Sequence, residues 1–128
     1  MKKRVLVVDD EPDFLEVIRV RLESNDCDVV TVTNGDDALK TIKGGNIDVV
    51  LLDILMPGMD GLEVLKKIRK LDKDLPVYII TAFSTEERFK MANKFGASGF
   101  IVKTDDLREQ IKSISSVIDM SDKYRNSK

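Results

Sequence analysis

Short apolar runs alternate with helix-period segments along the chain. Val5-Leu6-Val7-Val8, Val49-Val50-Leu51-Leu52 and Val77-Tyr78-Ile79-Ile80 are continuous, largely β-branched runs. Such runs predict strands covered on both faces, as in a parallel sheet. Val29-Val30-Thr31-Val32 and Phe100-Ile101-Val102 are weaker versions that suit the sheet edges. Between the runs, Phe14, Ile18 and Leu22 recur every four residues, as do Ala38 and Ile42. Leu62, Leu65 and Ile68 share one helix face; so do Leu107, Ile111, Ile114 and Ile118. Pro12 suits the first turn of a helix. Ser84 with Glu87 reads as a capping box ahead of Arg88 to Phe95. Gly44-Gly45 and Gly96 stand where helix ends need a left-handed residue. About five β-α repeats predict an α/β domain, a parallel sheet with helices on both faces and right-handed crossovers. One domain is expected over residues 1–120, followed by a polar tail, 121–128, that frays.

The first polar residues after these runs are Asp9-Asp10-Glu11, Asp53, Thr81 and Lys103. In a parallel sheet all carboxyl ends lie along one edge, and open α/β sheets bind ligands there, where the strand order reverses. Residues scattered from 9 to 103 are therefore expected to converge. Carboxylates within about 4–6 Å repel by several kcal/mol per pair at an effective dielectric near 20. Lys103 supplies one compensating charge, and an all-oxygen cluster also suits a hard divalent ion. With no sulfur or imidazole ligand, Mg²⁺ is favoured over zinc. A cation beside a carboxylate, a lysine and helix N-termini can hold a phosphoryl group. A carboxylate in such a site can itself be the nucleophile, giving an aspartyl phosphate. Taken singly, Asp9, Asp10 and Asp53 read more readily as caps, Thr81 as a turn or cap residue, and Lys103 as a solvated strand end. Their joint placement on one edge carries the functional reading. Met56-Pro57-Gly58-Met59-Asp60-Gly61 is first of all a turn motif that would wall the pocket beside Asp53. Cys27 reads as an inert residue before the second strand.

Composition narrows the chemistry further. The chain has 128 residues and no histidine, which removes Ser-His and Cys-His pairs, histidine bases and imidazole metal sites. A lone cysteine cannot form an internal disulfide or a CxxC site. A formal charge of -2 gives no electrostatic case for nucleic acid as a partner. The apolar run behind Met1-Lys2-Lys3-Arg4 ends at Val8, too short for a signal peptide or a membrane span. A cytoplasmic location is the expectation.

From Lys3 to about Ile118 the sequence resembles the receiver domain of two-component response regulators. The likeness rests on Val7-Val8-Asp9-Asp10-Glu11, Leu52-Asp53-Ile54-Leu55-Met56-Pro57-Gly58-Met59-Asp60-Gly61, Thr81-Ala82 and Phe100-Ile101-Val102-Lys103. The resemblance implies a flavodoxin-like, doubly wound five-stranded sheet of order 2-1-3-4-5. It implies that Asp53 accepts a phosphoryl group from phosphohistidine on a histidine kinase or phosphotransfer protein. Asp9, Asp10, Asp53 and the Leu55 carbonyl would surround Mg²⁺. Lys103, the Thr81 hydroxyl and the Ala82 amide would bind the phosphoryl oxygens, and Phe100 would be the aromatic switch. The helix–strand–helix surface over residues 84–118 would then meet an unknown downstream protein. The domain is expected to stand alone, as in chemotaxis-type receivers. It would be a monomer or a phosphorylation-dependent dimer, with no direct contact to nucleic acid or membrane. It is expected to catalyse only its own phosphorylation and dephosphorylation.

One departure stands out: Thr104-Asp105-Asp106 follows the lysine, where receivers usually have proline. A cis bond before a non-proline residue costs about 3–4 kcal/mol, so the Lys103–Thr104 bond is expected to be trans, or cis only if strained and held by the site. Asp105 and Asp106 can cap the last helix either way. Leu55 and Phe83, two residues beyond Asp53 and Thr81, are apolar and cannot orient an attacking water, which predicts slow self-dephosphorylation. Two other readings remain. A Mg²⁺-dependent aspartyl-phosphate phosphatase of the haloacid dehalogenase type would need a second Asp where Leu55 stands. A receiver-shaped module that takes no phosphate would not need the full set of polar residues.

Overall fold

The computed structural model describes residues 2–56, 59–82 and 85–126, with the backbone alone for Met59 and 122–126. Five strands, β1 (Lys3–Val8), β2 (Cys27–Val32), β3 (Val49–Leu52), β4 (Val77–Thr81) and β5 (Gly99–Val102), form one sheet. Its order is β2-β1-β3-β4-β5, and every pairing is parallel. Helices α1 (Pro12–Ser24), α2 (Gly35–Lys43), α3 (Gly61–Leu71), α4 (Glu86–Lys94) and α5 (Leu107–Asn126) complete the doubly wound, flavodoxin-like fold.

The continuous apolar runs have a simple cause. Successive strand side chains point to opposite faces, and here each face has a core of its own. Leu6, Val8, Val50, Leu52, Val77 and Ile79 pack with Ala38, Ile42, Val64, Leu65 and Ile68 of α2 and α3. Val5, Val7, Val49, Leu51, Tyr78 and Ile80 pack with Leu15, Ile18, Leu22, Ile114 and Ile118 of α1 and α5. A strand covered on both sides has no position left for a polar residue until it leaves the sheet. The edge strands β2 and β5 are only partly covered, which is why their sequences are mixed.

Local signals placed most of the helices, and four details differ from the expectation. Pro12 opens α1. The cap of α4 is Thr85, whose Oγ1 accepts the Arg88 N–H at 3.1 Å; Ser84 lies outside the described residues. Gly44 closes α2 in an ordinary right-handed conformation, and Gly45 takes the left-handed one with φ +84°. Leu107, expected on the buried stripe, is 41% exposed at the start of α5, which Asp106 caps. The last helix also runs on through Asn126, so residues expected in a frayed tail are helical. Ser121 is buried there, with its hydroxyl donated to the Ile118 carbonyl.

Beyond β3 the chain makes a small antiparallel ladder, Leu55–Met56 against Met59–Asp60, where the sequence suggested only a turn. Pro57 and Gly58, its tip, lie outside the described residues. Asp60 then caps α3 by accepting the Leu62 N–H at 2.9 Å. Gly61 is required: a Cβ there would sit 2.3 Å from Ile54 Cα and 2.6 Å from the Asp53 carbonyl oxygen. The peptide after Lys103 is trans. Among the described residues, no helix is long and apolar enough to cross a membrane.

Candidate functional site

Asp9, Asp53 and Lys103 each follow the last residue of a parallel strand, and the sheet's hydrogen bonding reaches one residue further to fix them. The Asp9 N–H donates to Val32 O, the Asp53 N–H to Val8 O, and the Lys103 N–H to Thr81 O, at 3.1, 2.9 and 2.8 Å. These bonds set the three Cα positions along one edge, beside the reversal of strand order at β1 and β3.

The side chains then converge. The Lys103 ammonium lies 2.6 Å from Asp9 Oδ2, 2.8 Å from Glu11 Oε1 and 3.3 Å from Asp53 Oδ2. Asp9 is fully buried and Asp53 is 4% exposed. In each aspartate the other oxygen is held by a backbone amide two residues on: Asp9 Oδ1 by Glu11, Asp53 Oδ1 by Leu55, both at 2.9 Å. Each carboxylate is therefore fixed by one oxygen and presents the other to the ammonium. Oxygens of Asp9, Asp10, Glu11 and Asp53 all lie within 4.8 Å of one another.

Four carboxylates around one ammonium leave a large negative excess, and the physical consequences are visible. Burial pushes the Asp9 carboxyl up to about 6, against the opposing pull of Lys103 and the Glu11 amide. Burial works against the Lys103 ammonium too, but Asp9 and Glu11, with Asp53 behind them, outweigh it and hold its pKa above the ordinary lysine range. An all-oxygen donor set whose negative charge one ammonium only partly offsets fits a hard divalent cation.

Because the folded-state pKa of Asp9 lies above its unfolded value of 3.8, the folded protein binds the extra proton between about pH 4 and 6. Stability is lost as pH rises through that window, by an amount on the order of 3 kcal/mol for this group. In EDTA, Asp9→Asn will therefore melt close to the wild type at pH 4.5 and above it at pH 7.5. Calorimetry at the two pH values checks this; an Asn variant less stable at pH 7.5 contradicts it.

Thr81 is fully buried at the end of β4, and Ala82 beyond it is exposed. Phe100 of β5 is half-buried against the α2/α3-side core, and its ring meets Phe89 of α4 edge-on, centroids 5.5 Å apart. Leu55 is half-buried and sits in the small ladder; Phe83 lies outside the described residues. The structure thus brings Asp9, Asp10, Asp53 and Lys103 together and sets Thr81 on the same edge, with Phe100 on the strand beside it.

Sequence reasoning missed three neighbours. Glu11 was grouped with the acidic run but not as the lysine's partner, a contact between residues 92 apart. Phe14, read as a core position, lies under the Lys103 ammonium at 4.3 Å from the ring centroid. Gln110, in the first turn of α5, gave no signal at all.

A response regulator receiver domain model matches residues 5–115, and the chain belongs to that family. The alkaline phosphatase synthesis transcriptional regulatory protein PhoP of Bacillus subtilis (strain 168) is 30% identical over 122 residues. That match covers 95% of this chain and 51% of PhoP, so the chain spans about half the length of that relative. Among solved structures, a CheY-like receiver domain protein from Methanospirillum hungatei JF-1 is similar with a TM-score of 0.86 and 27% identity. That alignment covers 96% of this chain and 98% of that one. The response regulator TrrA of Thermotoga maritima, solved in complex with Mg²⁺-BeF, is 38% identical with a TM-score of 0.77, covering 89% and 97%.

Proposed function

We propose that this receiver domain is a phosphorylation switch in which Asp53 takes a phosphoryl group from phosphohistidine on a histidine kinase or phosphotransfer protein. The observation that carries the reading is the Asp53 carboxylate itself. One oxygen is fixed by the Leu55 amide, and the other faces an ammonium within an acidic, largely buried pocket. In the transfer, an Asp53 oxygen forms a bond to phosphorus as the P–N bond breaks, and the imidazole leaves with a proton. Such a reaction asks the protein mainly for alignment and charge neutralisation. Mg²⁺ would be held by Asp9, Asp10, Asp53 and the Leu55 carbonyl, and when bound it offsets the negative charge that the carboxylates and phosphoryl oxygens bring together.

Lys103 exchanges its carboxylate partners for a phosphoryl oxygen. The Thr81 hydroxyl and Ala82 amide bind the others, drawing the loop after β4 inward, and Phe100 follows by leaving its edge contact with Phe89. The output is a population shift between two packings of the α4-β5-α5 surface. A downstream protein or a second receiver reads that surface, and the domain acts in the cytoplasm as a signalling module with no substrate besides its own phosphoryl group.

Incubation with acetyl phosphate and Mg²⁺, followed by intact-mass measurement, tests the reading. The wild type will gain one phosphoryl mass and Asp53→Ala none. A protein that gains nothing is a binding module, and one that keeps releasing inorganic phosphate at a high rate is a phosphatase. Leu55 offers no hydrogen bond to an attacking water, and neither does the phenyl ring of Phe83. The phosphorylated protein is therefore expected to last for hours, from the absent water-positioning contribution of about 10²–10⁴. Loss of the added mass with a half-life below about one minute contradicts this.

A further inference from the structure

Among the described residues, the buried polar side chains are Asp9, Asp53, Thr81, Ser121 and Gln110. Three belong to the site, and Ser121 is satisfied within its own helix. Gln110 is 2% exposed, its Nε2 has no hydrogen-bond partner among the described residues, and its Oε1 accepts the Thr104 N–H at 2.8 Å. A leucine or methionine would fill the space without burying an unpaired amide nitrogen. What glutamine adds is the bond to Thr104, the residue directly after Lys103.

That bond completes a clamp. The Lys103 N–H is tied to Thr81 O at 2.8 Å and the next N–H to Gln110, so the peptides on both sides of the lysine Cα are anchored, one to β4 and one to α5. The rest of the loop closes on itself. The Thr104 hydroxyl accepts from the Asp106 N–H at 2.9 Å, and Asp106 caps α5, the helix that carries Gln110. The Lys103 ammonium stands at the end of a four-carbon stem, where a small rotation at Cα becomes a large displacement.

We propose that Gln110 is a positioning residue: through the Thr104 amide it aims the Lys103 ammonium at the Asp53 carboxylate. The inference rests on Asp53 being the phosphoacceptor. Gln110→Met keeps the shape and removes the acceptor, whereas Gln110→Glu keeps an acceptor oxygen. With acetyl phosphate and Mg²⁺, Gln110→Met will lower the saturating phosphorylation rate about tenfold with little change in half-saturation, since misplacement acts on the reacting geometry. Gln110→Glu will stay within about twofold of the wild type. On a Lys103→Met background, Gln110→Met will cause no further slowing, because the group it positions is gone. Should Gln110→Met fail to fold, Gln110→Leu removes the acceptor of the same bond with a different apolar shape and must slow the reaction likewise.

Full activity in Gln110→Met, or in Gln110→Leu where it is used, overturns the inference. So does equal slowing on the Lys103→Met background, which would mark a general structural role. An inert wild type overturns the Asp53 reading and this inference with it; a fully active Gln110→Met protein overturns this inference alone.

Discussion

Lys103→Met will destabilise the Mg²⁺-free protein by about 3 kcal/mol, the usual result of removing one partner from a buried ion pair. The Lys103 side chain is 9% exposed, and its two aspartate partners are almost wholly buried. Methionine fills the space of the stem over Phe14 but leaves the Asp9 and Asp53 carboxylates facing each other with no cation between them. They respond by holding a proton: the Asp9 carboxyl, already raised to about 6, climbs further. A divalent ion supplies the missing charge, so Mg²⁺ at about ten times its dissociation constant will restore about 1 kcal/mol or more by linkage. Phosphorylation stays slow, because the ion does not stand where the ammonium stood. We expect a fall of about a hundredfold, the scale on which loss of one charge-stabilising donor acts. Urea titrations with and without Mg²⁺, alongside the acetyl phosphate assay, measure both effects. A variant as stable as the wild type in EDTA would mean that the carboxylate cluster does not need its lysine.

Gly61→Ala is expected to cost about 3 kcal/mol or more, at the upper end of overpacking. The added methyl would meet backbone, Ile54 Cα at 2.3 Å and the Asp53 carbonyl oxygen at 2.6 Å, and backbone cannot turn aside as a flexible side chain can. Gly61 also donates its N–H to the Ile54 carbonyl at 3.2 Å, which ties the start of α3 to the segment after Asp53. Relief of the clash requires α3 and the Asp53 loop to separate. The loss in melting temperature will therefore come with reduced phosphorylation even where the variant remains folded. Thermal denaturation and the mass assay at 15 °C check the pair of effects; a variant that melts like the wild type contradicts the packing argument.

The central strands were legible in the sequence because β1, β3 and β4 are buried on both faces, which leaves long unbroken apolar signals. The same burial made the site legible, since the first polar residue after each run marks the sheet edge. Less of the periphery could be read. Ser84 and Thr85 are adjacent hydroxyl residues, and which one caps α4 is decided by the backbone angles at the entry, not by residue type. Leu107 fits the helix stripe, yet it is exposed, and Gln110 in the same turn takes the buried position instead. The partners of Lys103 other than the aspartates depend on tertiary approach. Glu11 comes from 92 residues away, Phe14 from the opening turn of α1, and Gln110 from the first turn of α5. Local patterns cannot report such contacts.

The helices are unequally moored. Among the described residues α3 buries four and α1 three, whereas α4 buries Ala92 alone and otherwise rests on half-buried rings such as Phe100. A lever moves easily when its pivot is slight. The helices that follow Asp9 and Asp53 thus bury more of their residues than the one that follows Thr81, so under the proposed switch α4 is the helix with least packing to surrender.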